Sequence, residues 1–262
     1  MLTSQWSDEK ILDQWANAFN AARPFRFLVI DNALQESHVE KLAAAFPSLS
    51  KMSVNYKGMN EHKSEHSDFD ALDPGFNTLK KLCSESSFLR VIEKITGMKE
   101  IMTIHDRYGY GLHQGGSNSF LDIHVDYNLH PLEKKQRRLN LILFLNRDWE
   151  ASWGGALEFW NQDVSECKHA ILPLFNRVVL FECNEYSYHG YSKINCPESV
   201  TRKSFYHYYF TEPEKKLLFH DTLFKTKPKE PFTKRVVVRI KETGKNLVKT
   251  TLFHLGLNRF LK

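Results

Sequence analysis

The residues best suited to chemistry in this 262-residue chain are His124, Asp126 and His189. His124-Val125-Asp126 lies in the strand-like run LDIHVDYN. Residues two apart on a strand share a face, so both side chains can converge on one ion. A third donor is needed. His189, in SYHGYSK, follows 65 residues later, just after the strand-like segment NRVVLFEC. Two imidazoles and one carboxylate on one side of a metal leave its other positions open, which suits non-heme Fe(II) and O2. The same donors could hold Zn2+ with a bound water and serve a hydrolase. The bland reading makes His124 an ordinary strand histidine and Asp126 a turn residue, and His-x-Asp alone is a weak motif.

Arg202 adds a second element. It stands 13 residues after His189 in another strand-like segment, TRKSFYHYYF. On such a strand Arg202 and Ser204 share a face, so a guanidinium and a hydroxyl can point together into a barrel interior. A buried arginine needs an anionic partner, and its planar fork matches a carboxylate bidentately. A dicarboxylate cosubstrate would supply that partner. The alternative turns Arg202 outward beside Lys203.

These residues need elements to position them. Residues 7 to 21 place Ile11, Leu12, Trp15 and Phe19 at helical spacing, with Ser7 as the expected N-cap. The short strand FRFLVIDN follows, then Ser37 as the expected cap of a second helix through Val39, Leu42 and Phe46, which Pro47 stops. Residues 48 to 70 are polar and read as a long loop, a candidate lid; His62 and His66 are expected to be solvated there. Pro74 opens a third helical stretch ending near Gly97. After residue 98 the segments become short, β-branched and aromatic: LDIHVDYN, RRLNLILFLNRD, GGALEFWN, NRVVLFEC and RKSFYHYYFT. Strands without intervening helices predict an antiparallel sandwich or barrel.

In order and spacing, His124-x-Asp126, RRLNLILFLN, WGGALEFW, the Pro173 to Phe181 strand, His189-Gly190 and Arg202-x-Ser204 resemble the prolyl 4-hydroxylase-like branch of the Fe(II)/2-oxoglutarate-dependent dioxygenases. The resemblance covers about residues 100 to 211. It is closer still to bacterial members of unassigned substrate, through Gly111-Leu-His-Gln114 and the tail phrase HDTLFKTKP. It implies a mainly β fold whose core is a double-stranded β-helix, a cupin-like jelly-roll, under a helical N-terminal layer. It implies His124, Asp126 and His189 as metal ligands and Arg202 as partner of the distal carboxylate of 2-oxoglutarate. Ser204 and either Tyr108 or Tyr110 would assist Arg202. Asn140, on one face with Arg138 and Ile142, could look into the same pocket or outward. Gly154-Gly155 is expected to form a turn without a chemical role. The cofactors implied are Fe(II), 2-oxoglutarate and O2, with ascorbate as a candidate reductant. The presence of Asp126 favours hydroxylation, because related halogenases lack that carboxylate.

The expected domain plan is a helical support region over 1–98, the catalytic core over 99–212 and a basic extension over 213–262. That extension carries 13 Lys/Arg and 4 Asp/Glu in a chain whose formal net charge is +5, so the first 212 residues are net acidic. A nucleic-acid partner is therefore not expected. The extension ends in an amphipathic pattern of Val248, Leu252 and Leu255 with Phe253, Leu257 and Phe260. It reads as a solvated helix, a contact with an anionic membrane surface, or a docking surface for an acidic substrate. The longest apolar run has seven residues and includes Asn140, far short of the roughly 20 that a spanning helix needs. The start shows no secretory pattern, and Cys83, Cys167, Cys183 and Cys196 form no Cys-x-x-Cys pair. A reduced, cytoplasmic protein is expected. Substrate is open between a prolyl residue in a peptide or protein, a free amino acid, and a sugar or polysaccharide precursor. A zinc hydrolase and a non-catalytic jelly-roll binding module are the readings from other classes.

Overall fold

The computed structural model of the protein describes residues 1–214 and 216–257. Helix α1 (Glu9–Ala21) buries Leu12 and Phe19. Its cap is Asp8, whose carboxylate accepts from the Lys10 and Ile11 N–H groups, while Ser7 belongs to the preceding 3-10 turn. Helix α2 (Glu36–Ala44) begins one residue before Ser37, because the extended Gln35 takes the cap position and its N–H is tied to the Met1 carbonyl. The third helical stretch is two helices, α3 (Pro74–Ser84) and α4 (Ser86–Thr96), separated at Glu85, whose backbone is extended. Gly97 ends α4 at φ 72°, a conformation that costs glycine little.

The strands are β1 (Phe27–Ile30), β2 (Val54–Lys57), β3 (Glu61–His66), β4 (Tyr110–Gly115), β5 (Phe120–Val125), β6 (Gln136–Phe144), β7 (Leu157–Trp160), β8 (Cys167–Ile171), β9 (Arg177–Glu182), β10 (His189–Tyr191), β11 (Arg202–Thr211) and β12 (Leu223–Phe224). They form one curled sheet in the order β1-β9-β6-β11-β4-β3-β5-β10-β7-β8, with β2 added to β3 and β12 to β5. The predicted mainly antiparallel β architecture with a helical layer is what the structure has.

Two boundaries differ from expectation. The segment 48–70 is not a long loop, because it contains β2 and β3. Strand β3 pairs with β4 through Ser64↔Gln114 and with β5 through Glu61↔Leu121, and so links the two halves of the sheet. His62 and His66 lie on this strand. Apolar alternation is the usual sign of a strand, and β3 lacks it because its inward partners are charged and aromatic rather than aliphatic. The sheet also draws on both flanking regions, since β1 pairs with β9 and β12 with β5.

Period-2 alternation sorts the central strands between two cores. Leu139, Leu141 and Leu143 of β6, Leu180 of β9 and Phe205 and Tyr209 of β11 pack against the N-terminal helices. Phe144, Val179 and Phe181 face the other way, against Leu157, Phe159 and Ile171 of the opposite half. Each such side chain contributes about 1.5–3 kcal/mol when fully buried.

His207 is an exception on the helix-facing side. It is fully buried between Tyr110 and Tyr209, and neither ring nitrogen has a hydrogen-bond partner among the described residues. Burial pushes its imidazole down from 6.5 to about 3. The unfolded chain then binds a proton below pH 6.5 that the native state refuses until pH falls near 3, so stability is full above that window and declines within it. Urea unfolding at a series of pH values should show His207→Phe losing less stability on acidification than wild type. The expected difference is about 1.4 kcal/mol per pH unit within the window. Parallel pH slopes would show that the imidazole is solvated or paired.

Candidate active site

The two histidines meet because β5 and β10 pair in a register that sets His189 directly across from His124. Their ring centroids are 4.3 Å apart. Each ring is oriented from behind. His124 Nδ1 is 2.9 Å from the Asp122 carbonyl, and His189 Nδ1 is 2.9 Å from the Ser187 carbonyl. Donation from Nδ1 leaves both Nε2 atoms with free lone pairs, the tautomer a metal ligand requires. Asp126 lies just past the end of β5, with Oδ1 3.5 Å from His124 Nε2 and Oδ2 3.6 Å from His189 Nε2. The three donor atoms lie within 4.8 Å of one another. Burial, then repulsion from His124, pushes His189 down to about 3, so the ring is neutral at neutral pH and competent to bind a metal.

Behind Asp126 stands Arg137. Its Nη2 donates to Asp126 Oδ2 at 2.8 Å, and its guanidinium lies 3.3 Å from the Tyr208 ring centroid and 4.7 Å from that of Tyr127. Burial favours the neutral carboxyl of Asp126, but Arg137 and the two imidazoles outweigh it and hold the group far below the usual carboxylate range. Arg137 was not among the expected site residues, for a definite reason. Strict alternation groups Arg138 with Asn140 and Ile142. The β6–β11 register instead jumps from Leu139↔Tyr209 to Arg137↔Phe210, skipping Arg138, and this irregularity turns Arg137 inward. Arg138 reaches Thr211 and Glu214 instead.

Further along the interior between the two halves of the sheet, Arg202 is buried at 6% exposure. Its Nε donates to the Gly155 carbonyl at 2.7 Å, and its guanidinium lies over Tyr191 (4.4 Å) and Phe144 (4.9 Å). No carboxylate lies within ion-pair distance of it among the described residues, and burial lowers it to about 10. Ser204 is buried on the same face of β11. Gly155, at φ 69°, therefore holds Arg202 through its carbonyl, while the turn closes one residue earlier, from the Gly154 N–H to the Ala151 carbonyl.

The remaining expected residues divide. Asn140 is turned inward, opposite in direction to Leu139 and Leu141, and its Oδ1 is buried without a partner among the described residues. Tyr108 sits beside Tyr127, whose hydroxyl donates to its carbonyl, on the Asp126 side rather than at Arg202. Tyr110 points away into the helix-facing core, with its ring on Phe69 and its hydroxyl 3.4 Å from Lys80 Nζ. The tyrosine at Arg202 is Tyr191, two residues beyond His189 on β10 and pushed by burial up to about 12. Its signal was the period of two in His189-Gly190-Tyr191. Between them Gly190 lets β5 approach, since a Cβ there would stand 2.6 Å from the Leu121 carbonyl oxygen. Strand β3 supplies a further wall. The Tyr206 hydroxyl donates to Glu65 Oε1 at 2.7 Å, and His113 Nε2 lies 3.4 Å from Glu65 Oε2. His113 thus belongs to a half-buried polar group whose charged member, Glu65, came from the segment expected to be a loop.

Residues 109–210, which hold the triad and Arg202, match the model of the 2OG-Fe(II) oxygenase superfamily. That match covers 102 of the 262 residues, and its family is the one that the sequence resemblance implied. Among curated proteins it is similar to prolyl 3-hydroxylase OGFOD1 from Mus musculus, at 25% identity over 182 residues, covering 67% of this chain and 31% of that protein. The chain thus spans less than a third of that relative's length. Two solved structures share the fold. A prolyl-4-hydroxylase from Pseudomonas putida has a TM-score of 0.55 and 15% identity, over 76% of this chain and 100% of that one. A prolyl hydroxylase from Trichoplax adhaerens, in complex with a hypoxia inducible factor oxygen degradation domain peptide fragment, has a TM-score of 0.51 and 18% identity, over 79% and 96%.

Proposed function

We propose that the protein hydroxylates an unactivated C–H bond using Fe(II), 2-oxoglutarate and O2, and that its substrate is a prolyl residue in a peptide or protein. The observation that carries the reading is Arg202, a buried guanidinium without a counterion among the described residues, on the inner face of the sheet that also carries the triad. Tyr191 beneath it is two residues from His189, about 7 Å along the strand. That separation suits a short dicarboxylate with its keto-acid end at the triad and its far carboxylate at Arg202. In this reading His124 Nε2, Asp126 and His189 Nε2 hold Fe(II). Arg202, with Ser204 and Tyr191, receives the distal carboxylate, and Asn140 offers its amide oxygen as an acceptor to the bound molecules.

When bound, the cofactor set supplies the oxidising power: one oxygen atom of O2 enters the substrate C–H bond, and the other enters succinate as CO2 leaves. The protein's part is to orient the donors, exclude water and present the substrate carbon. The prolyl assignment draws on the prolyl hydroxylase names of the similar proteins, while the scaffold alone leaves substrate open. Ascorbate is proposed as the reductant that rescues oxidised iron. A reducing, cytoplasmic setting is proposed on the four cysteines, all free thiols.

Anaerobic protein mixed with Fe(II) and 2-oxoglutarate should develop the weak visible metal-to-ligand charge-transfer band. Admitting O2 with a proline-containing peptide library should then give products heavier by one oxygen atom, carrying label from isotopic O2. A missing band in metal-loaded protein would sink the oxygenase reading and favour a zinc hydrolase. A band with labelled product only from free amino acids or sugars would overturn the peptide assignment alone.

A further inference from the structure

Helix α5 (Phe232–His254) is mounted the wrong way round for a globular protein. Its polar face meets the body. Lys234 pairs with Asp122 at 3.0 Å, and Lys245 and Lys249 pair with Asp221 at 3.6 and 3.0 Å. Asn246 accepts from the Asp221 N–H, and the Thr250 hydroxyl donates to the Phe219 carbonyl. Val238 and Phe253 are its only buried apolar side chains. The apolar stripe faces solvent instead: Phe232, Val236, Ile240, Leu247, Val248 and Leu255 recur at helical spacing, with Ile240 at 69% exposure and Leu247 at 68%. Of the 14 exposed large hydrophobic residues described in the chain, eight lie between Phe232 and Leu257. Chance scatter of surface apolar residues does not give one continuous stripe.

Charge decides what covers it. The helix holds six Lys/Arg and a single acid, Glu242, which is buried and accepts from Asn60 Nδ2 and the Phe224 N–H of the body. Arg235, Arg239 and Lys241 are exposed along the margins of the stripe. A second copy of the chain laid on this face would bring two cationic rows together. An anionic lipid surface would accept both features, taking the apolar stripe below its headgroups and pairing its phosphates with the flanking cations. No helix among the described residues is long and apolar enough to cross a membrane, so the contact is peripheral.

We infer that α5 is a membrane-surface anchor that binds anionic bilayers by its solvent-facing stripe. The test is co-sedimentation of the full chain with phosphatidylcholine vesicles containing about a quarter phosphatidylglycerol, against vesicles of phosphatidylcholine alone. The expected result is binding to the anionic vesicles that falls at least about tenfold on neutral vesicles or at high salt. The double substitution Ile240→Asp with Leu247→Asp should abolish it while leaving circular dichroism unchanged. Arg239→Ser with Lys241→Ser should weaken it about thirtyfold on anionic vesicles only. No sedimentation with anionic vesicles would overturn the proposal, as would binding indifferent to Ile240→Asp with Leu247→Asp. A concentration-dependent dimer that the same double substitution dissolves, with no vesicle binding, would assign the stripe to a second copy instead.

Discussion

Asp126→Asn is expected to abolish oxygen-dependent consumption of 2-oxoglutarate while leaving a folded protein. Losing a ligand should cost more than about a hundredfold, since even the outer hydrogen-bond partners of metal ligands are worth about 10- to 100-fold. Asparagine is the informative replacement because of Arg137. That guanidinium is buried and donates to Asp126 Oδ2, and an asparagine carbonyl still accepts from it. Asp126→Ala would leave a buried cation without its carboxylate, at a cost of about 3–5 kcal/mol, so lost activity there would be confounded with lost stability. Thermal unfolding of both variants beside the oxygen-electrode assay separates the effects. Asp126→Asn retaining near-wild-type turnover would remove the triad from the mechanism.

Arg202→Met should move two observables in opposite directions. Truncating one partner of a buried charged pair costs about 2–5 kcal/mol, which raises the 2-oxoglutarate concentration needed for half-saturation by about thirtyfold to several thousandfold. Without cosubstrate the partner is absent, and the wild-type protein holds a desolvated cation pushed down to about 10. Methionine keeps an apolar stem against Phe144 and Tyr191 and removes that charge, so the apo variant should unfold no lower than wild type. The hydrogen bond to Gly155 is the offsetting loss. Calorimetric binding of 2-oxoglutarate and urea unfolding of the apo protein check the two halves. An unchanged affinity would mean that the distal carboxylate binds elsewhere in the cavity.

The residue types and spacings were enough to name a triad, a buried arginine and the scaffold that carries them. That legibility has a local cause. His124 and Asp126 are two apart on one strand end, Arg202 and Ser204 are two apart on another, and a period of two is a property of the extended backbone. The same rule, applied to β10, would have found Tyr191. It failed at Arg137, where the break in register at Arg138 exchanges the faces, and nothing in QRRLNL announces such a break. It failed again at β3, where charged and aromatic partners across the cavity do the work that apolar alternation does elsewhere.

Other features were set only by the assembled chain. His189 stands opposite His124 because two strands 65 residues apart pair in one register, and pairing energy depends on neighbours that are remote in sequence. Helix α5 begins well before the predicted amphipathic stretch, and Phe260 lies outside the described residues. Its periodicity showed that it has two faces, but which one docks was decided by Asp122 and Asp221 waiting on the body. The sequence by itself determined the chemistry available, because donor atoms and backbone periods are written residue by residue. Only the tertiary structure decided which donors meet, which charges go unpaired and which apolar face is left to solvent, because those depend on pairings between segments that local sequence does not encode.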